Sequence, residues 1–440
     1  MCILGIDIGT TTISAVVVSL KNGESLKSIT LQNDAFIDTN IKGERIQDAG
    51  NIERKVVALV DNLIEEYPIK TIGVTGQMHG ILYYDKNGKA ISPLYTWQDG
   101  RALEVLDSGK NSVEEIYDLT GYTVPSGYGL ATHYYNLKKG LVPIEAVGLC
   151  TIGDYVVGAL TGIIPKMHAS NGASLGLFDL KINRFDENVL KKVGINPKFL
   201  PPVTSSARVA GIHNGIPVSV AIGDNQASFI GSVSDVDNGI LINVGTGSQV
   251  SAVSKYKEDL KACELRPLLG DKYLVVGSAL CGGRAYALLE KFFSSFAKTL
   301  GVEGEQYEVM AKLALSATEA LTVKTTFSGT RKDPSIKGSI VGIDEDNFNP
   351  ASLTLGFIHG IVDELYGFTV DMDKKSLLVG SGNGVKKNEI LSAYASNKFG
   401  AQMKMPKYNE EASVGACLFA GVSSGLFSSL SKAGSLIKYN

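Results

Sequence analysis

Apolar residues fall along this chain in short unbroken runs, most of which end on a glycine and a few small polar side chains. The first run, Ile3 to Ile8, is broken once, by Asp7, and passes through Gly9 into Thr10, Thr11 and Thr12. Such a run reads as a buried strand. An Asp inside it costs free energy unless its charge is used or paired. Thr11 to Leu20 and Ser25 to Leu31 read as returning strands around the turn Lys21-Asn22-Gly23. Asn51 then predicts a helix start. Ile52, Val56, Val57, Val60, Leu63, Ile64 and Tyr67 follow at helical spacing, and Pro68 ends the run. Thr71 to Thr75 is a short strand that delivers Gly76-Gln77-Met78-His79-Gly80 at its C-terminal end. Thr151 to Gly162 reads as a helix, and Val218 to Ile222 as a strand leading through Gly223 to Asp224, Asn225 and a helix start.

The pattern then recurs. Ile240-Leu241-Ile242-Asn243-Val244-Gly245-Thr246-Gly247-Ser248 repeats the sequence of strand, one polar residue, and Gly-Thr turn. Internal similarity governs the architecture before any local assignment does. Asp235 to Gly239 is the predicted boundary. Leu280 to Arg284 opens a helix whose apolar side is read as Ala285, Leu288, Leu289, Phe292, Phe293 and Phe296. Asn349-Pro350 starts a core helix carrying Leu353, Phe357, Ile358, Ile361, Val362 and Leu365. Leu377 to Val379 is a strand, and Gly380-Ser381-Gly382-Asn383-Gly384 a second glycine-rich turn before a helix from Glu389. Two similar halves, each with a phosphate-type hairpin, match the architecture of actin-like and sugar-kinase ATPases.

Bulk properties narrow the class. The 440 residues are 44% hydrophobic and 20% charged, ordinary values for a globular chain with ample core. A net charge of −3 gives no footprint for nucleic acid or an anionic membrane. The five cysteines, at 2, 150, 263, 281 and 417, are scattered and odd in number. They argue for a reducing cytosol and against a disulfide or zinc framework. The start has no basic, cleavable apolar leader, and no apolar run reaches membrane-spanning length. A cytoplasmic location is expected.

Candidate chemistry gathers at the strand ends. Asp7 beside a turn rich in amide and hydroxyl donors is what a metal-nucleotide site needs, because Mg²⁺ is held by carboxylates, water and phosphate oxygens together. The plainer reading is a hairpin whose glycine only makes the turn. Gln77 and His79 lie where ligands gather in open α/β sheets, although a lone His in a turn is more often structural. Trp97, the only Trp, stands beside Asp99 and Arg101, a combination that suits a polyol with apolar C–H faces and many hydroxyls. A capped surface turn is the alternative there. Ser170-Asn171-Gly172-Ala173-Ser174 could line the same pocket. Asp224 at a strand tip is a candidate acid or base, with a helix N-cap as the bland reading.

Taken together, these motifs resemble the FGGY carbohydrate kinases over nearly the whole length. The likeness rests on Asp7-x-Gly9-Thr10-Thr11, Gly76-Gln77-Met78-His79-Gly80, Trp97-Gln98-Asp99-x-Arg101, Asp154-Tyr155-Val156-Val157, Gly223-Asp224-x-Gln226-Ala227 and Gly380-Ser381-Gly382-Asn383. It implies an α/β fold of two ribonuclease H-like domains, of the actin and hexokinase type, around an interdomain cleft. Residues 1–237 would form the sugar side and residues 238–440 the ATP side. By matching positions, Asp224 takes the catalytic-base role and Asp7 the Mg²⁺-associated role. Gly9, Thr10, Thr11, Gly245, Thr246, Gly247, Gly382, Asn383 and Gly384 fall at ATP positions, with Asn388 near the base. Gln77, Met78, His79, Trp97, Asp99 and Asn225 fall on the sugar side.

The implied partners are MgATP and a ketose phosphorylated on a primary hydroxyl, and within the family the likeness is strongest to members acting on sedoheptulose. Xylulose, ribulose and glycerol are the other substrates to consider. Residues 170–174 and the order Gly245-Thr246-Gly247-Ser248 depart from the xylulose-type pattern and weaken that substrate. An actin- or chaperone-like ATPase shares the two hairpins but has no use for Gln77, His79, Trp97 and Asp99 at one strand end. An inactive binding module would have no need of Asp7 and Asp224. The oligomeric state is open, a homodimer being one option.

Overall fold

In the computed structural model, which describes all residues Met1–Asn440, the opening apolar run is strand β1 (Cys2–Ile8), paired antiparallel with β2 (Thr12–Ser19). β3 (Ser25–Gln32) continues the meander. Helix α1 (Ala49–Glu66) follows, capped not by Asn51 but by Asp48, whose carboxylate accepts from the Asn51 amide. Its buried residues include Ile52, Val56, Val60 and Leu63, the stripe that the spacing predicts. β4 (Ile69–Gly76) lies parallel to β1, as a strand returning through a helix must. α2 (Ile152–Thr161) ends at Gly162 in the left-handed conformation. It is followed by α3 (Ala169–Leu175), β5 (Val209–His213), β6 (Ile216–Ser219), β7 (Ile222–Gly223) and α4 (Asp224–Ser232). The sheet order is β5-β6-β4-β1-β2-β3, with β7 also on β4.

The second half builds its own sheet from β8 (Gly239–Val244), β9 (Ser248–Lys255), β10 (Glu264–Leu269), β11 (Lys272–Ala279), β12 (Leu377–Ser381) and β13 (Met403–Lys404). Its order is β10-β11-β9-β8-β12-β13. In both sheets the first strand of the opening hairpin lies between its antiparallel partner and a later parallel strand, β2-β1-β4 in the first and β9-β8-β12 in the second, while outside this trio the orders differ, β3 flanking β2 but β11 flanking β9. The duplication seen in the sequence is thus a duplicated three-strand core. Helices α5 (Gly283–Thr299), α6 (Tyr307–Ser316), α7 (Pro350–Gly367), α8 (Asn383–Lys386) and α9 (Glu389–Phe399) complete this half. Asn349 caps α7 as read, and Phe357, Ile358, Ile361, Val362 and Leu365 are buried in its core. The reading of α5 needs correction. Ala285 and Leu289 are buried, but Leu288, Phe292 and Phe296 form an outward stripe, the two Phe being 61% and 62% exposed.

By its contacts the chain divides into two compact units. The first is Met1–Ser234, Arg266–Tyr273 and Tyr408–Lys438; the second is Asp235–Leu265, Leu274–Lys407 and Tyr439–Asn440. Helix α10 (Glu411–Ser423), which lies in the expected 238–440 segment, packs with β1, β4 and α4 of the first unit. Gly415 makes this approach possible, since a Cβ there would stand 1.8 Å from the Ala227 carbonyl of α4. No helix is long and apolar enough to cross a membrane.

Candidate functional site

Three parallel strand ends build the site of the first unit. In register, Asp7 of β1 faces Thr75 of β4, and Thr75 faces Ile222 of β7. One step further, Ile8, Gly76 and Gly223 align, so Gln77 and Asp224 leave the sheet together beside Asp7. Asp224 is the first residue of α4 and Gly223 its cap, so the N-cap reading of Asp224 does not hold.

The charge of Asp224 acts on Asp7. Burial, then the charges of Asp224 and Glu410, push Asp7 up to about 7. Asp7 Oδ1 is buried without a hydrogen-bond partner. Burial pushes Asp224 up to about 6, opposed by the Asn225 amide and the Arg266 charge. Glu410 and Arg266 went unread in the sequence. Both come from distant segments that fold into this unit, and no local motif marks them. Glu410 is tied to the sheet by Thr30, whose hydroxyl donates to it at 3.2 Å.

The Gly9–Thr11 turn is held by side chains. Asn33 donates to the Gly9 carbonyl at 2.8 Å and Gln47 to the Thr10 carbonyl at 2.8 Å. Gln77 donates to Gln47 at 2.8 Å and accepts from Thr10 Oγ1 at 3.3 Å, so it braces the turn from inside. Trp97 is 45% exposed, and its indole N–H donates to Thr10 Oγ1 at 3.1 Å.

Asp99, 1% exposed, spends both oxygens within the chain. It accepts from Arg101 Nε at 2.7 Å and from the Arg45 amide at 3.0 Å, and so pins the Trp97 loop. The sequence reading of Asp99 as a sugar-facing acid does not account for this pairing. Met78 is buried, and its sulfur fills the space that Gly223 leaves without a Cβ. His79 is partly exposed and has φ +73, a left-handed conformation uncommon outside glycine and found where surroundings impose it. Its ring stacks on Tyr128 at 4.3 Å, and Nδ1 lies 2.8 Å from the Ser174 carbonyl. The carbonyl accepts, so Nδ1 carries the proton and Nε2 is the acceptor nitrogen of the neutral ring. Asn225 follows Asp224 in the first turn of α4 and is partly exposed.

The Ser170–Ser174 patch is helix α3 rather than an open loop. Ser170 Oγ accepts from the Gly223 amide at 3.0 Å, and Asn171 links Asp154 at 3.3 Å to the Ala221 carbonyl at 3.4 Å. These bonds hold the strand that presents Asp224. Asp154, wholly buried, is pushed up to about 7 despite the hydrogen bonds from Thr151 and Asn171 that oppose the shift.

The second unit holds a cavity of about 1090 Å³, ample for a small-molecule site, which typically measures about 300–1,000 Å³. Its lining includes Gly245 and Thr246 of the hairpin turn, Gly282's neighbours Gly283 and Arg284, and Gly382, Asn383 and Gly384. Gly247 closes the turn by accepting from the Gly245 amide at 2.9 Å. The turn is bolted to α5 through backbone: the Gly283 amide donates to the Gly245 carbonyl at 2.8 Å and the Arg284 amide to the Thr246 carbonyl at 3.0 Å. Asn243 donates to Ser381 Oγ at 2.7 Å across adjacent strands. Asn388 lines the cavity while its Oδ1 caps α9, accepting from the Leu391 amide at 3.0 Å. Tyr286 and Tyr307, unmarked in the sequence reading, stack in its wall.

Relatives match most of the length. The chain is 27% identical to a sedoheptulokinase from Mus musculus, covering 90% of this chain and 92% of the relative. Among solved structures, a xylulose kinase from Lactobacillus acidophilus superposes with TM-score 0.83 at 20% identity, covering 100% of this chain and 92% of the other. A Plasmodium falciparum glycerol kinase with ADP gives 0.78 at 20% identity, covering 99% of this chain and 92% of the other. The architecture is therefore the two-domain α/β fold of actin and hexokinase. The model of the FGGY N-terminal domain matches residues 2–231, just over half of the sequence, and the chain belongs to the FGGY family of carbohydrate kinases, phosphotransferases that act on sugars with ATP.

Proposed function

We propose that this kinase transfers the γ-phosphoryl group of ATP to a primary hydroxyl of a ketose, with sedoheptulose, giving sedoheptulose 7-phosphate, the preferred acceptor. The observation that carries it is the row of parallel strand ends that sets Asp7, Gln77 and Asp224 side by side. Asp224 is the base. It accepts the hydroxyl proton as the oxygen attacks phosphorus, a contribution of about 10²–10⁴-fold. Its pKa, held near 6, suits a group that must accept a proton near neutral pH and release it afterwards. His79 Nε2 and the Trp97 ring, with Asn225 and the chain around Met78, form the sugar side. Gln77 and Asp99 act by positioning, the first through the Gly9–Thr11 turn and the second through the Trp97 loop.

The Gly9–Thr11, Gly245–Gly247 and Gly382–Gly384 turns offer amides to the phosphates, since phosphoryl transfer needs positioning and charge neutralisation above all. Asn388 stands at the base end. Asp7 fits a magnesium ion: its Oδ1 is buried, an oxygen donor, and unpartnered. No cluster of three His, Cys, Asp or Glu side chains stands ready for a metal, so phosphate oxygens and water would complete the shell. When bound, the ion would neutralise phosphate charge.

Support for sedoheptulose comes from the likeness to the mouse enzyme and from residues 170–174, which differ from the xylulose-type pattern. Xylulose or another pentulose or polyol is the second reading. A cytoplasmic site of action goes with the five free, buried cysteines. A coupled ADP-release assay over ketoses of three to seven carbons tests the proposal. Sedoheptulose should give the highest kcat/KM, and Asp224→Asn should lose turnover with little change in sugar KM. Sugar-independent ATP hydrolysis as fast as transfer, or full turnover in the variant, would reject it.

A further inference from the structure

The wall of the second-unit cavity contains a feature that neither the phosphate turns nor the family motifs account for. Tyr286 of α5 and Tyr307, the first residue of α6, stack with ring centroids 5.8 Å apart and planes 26° from parallel. Both line the cavity, together with Glu305 and Asn388. The pair is held in place. Glu290 of α5 accepts from the Gln306 amide at 3.0 Å and from Ser294, while Gln306 Nε2 donates to the Gly304 carbonyl at 2.9 Å. The segment leading into α6 is thereby tied down on α5 one residue before Tyr307. Tyr286 lies less than one helical turn beyond Arg284, whose amide bonds the Thr246 carbonyl. An aromatic surface thus stands within reach of the phosphate turn. Tyr307 is 37% exposed, so it has a face to offer.

We propose that Tyr307, backed by Tyr286, is the stacking platform for the nucleobase, and that Glu305 selects adenine over guanine. This rests on the reading that the second unit holds the nucleotide. A purine stacks on an aromatic ring whatever its substituents, so the tyrosines supply affinity without choosing the base. The choice falls to Glu305. An ionised carboxylate only accepts hydrogen bonds. The adenine 6-position donates through its amino group, whereas guanine presents an acceptor oxygen there. Glu305 also stands close enough to Tyr307 for its charge to raise the phenol's pKa, after burial and Glu290.

The test is equilibrium binding to the full-length chain, by calorimetry, of ATP, GTP and inorganic triphosphate. Tyr307→Ala should weaken ATP about tenfold or more and leave inorganic triphosphate unchanged, while Tyr307→Phe should bind ATP like the parent. Glu305→Gln gains an amide donor and should narrow the ATP-to-GTP preference about tenfold, mainly by improving GTP. Unchanged ATP binding in Tyr307→Ala, or an unchanged ATP-to-GTP ratio in Glu305→Gln, overturns the inference and leaves the kinase reading standing. A parent chain that binds no nucleoside triphosphate overturns both.

Discussion

The two hairpin turns have the same topology and opposite chemistry. In the first unit, the polar residue of the strand is Asp7, and its register neighbour Thr75 turns away to donate to the Ile222 carbonyl at 2.7 Å. In the second, the equivalent residue is Asn243, and its neighbour Ser381 is its hydrogen-bond partner. One copy keeps a buried oxygen unsatisfied and the other closes the account internally. The turns differ in the same sense. Gly9–Thr11 is gripped by side chains from Asn33, Gln47, Gln77 and Trp97, while Gly245–Gly247 is gripped by the first amides of α5. A duplicated scaffold can therefore specialise while keeping the three strands around its hairpin. A buried carboxylate oxygen kept without a partner is costly to stability, and at the strand end beside Asp224 it fits a group that meets something outside the chain.

Exchanging the two polar residues tests that contrast most directly. Asp7→Asn makes the first strand resemble the second, and should lower kcat about 10²–10³-fold, with a raised magnesium requirement, measured in the coupled assay. Asn243→Asp is the reverse exchange. It sets a like charge at the proposed phosphate position, and should weaken ATP binding about tenfold to a hundredfold by calorimetry while sugar binding is unaffected. Gln47→Ala removes one of the side-chain grips from the first turn and strands both the Thr10 carbonyl and the Gln77 amide. A loss of about 1–3 kcal/mol in urea unfolding is expected, with no single side chain in the second turn giving a matching loss.

The smallest effect is that of pH on the ligand-free protein. Asp7 and Asp224, at about 7 and about 6 against 3.8 for an ordinary aspartate, bind protons more tightly folded than unfolded. Their contribution to stability is full below about pH 4 and is lost as pH rises through 6 and 7. The melting temperature should therefore fall between pH 5 and pH 8, and Asp7→Asn should flatten that fall.

What was legible in the sequence was periodic or local. The buried strand with its one acid, the Gly-Thr turns, the Asn349 cap and the repeat all show in windows of a dozen residues. Roles that depend on distant partners did not show. Glu410 acts on Asp7 only because α10 folds back on β1. Asp99 looked available because nothing in a linear motif says that Arg101 and the Arg45 amide claim it. The stripe of Leu288, Phe292 and Phe296 has perfect helical spacing, yet spacing reports that a face is apolar and not what covers it.

One consequence concerns synthesis. The glycine-mediated seating of α10 on α4 and β1 means that the acid-bearing unit is complete only once residues 411–423 have followed Asp7 off the ribosome. The Asp7 strand must wait for α10, some four hundred residues further along the chain, before its sheet is covered. A chain interrupted near residue 400 would carry every proposed phosphate-binding turn and still lack the cover of the lobe that holds Asp224, so premature termination should yield an aggregation-prone fragment rather than a half-active enzyme.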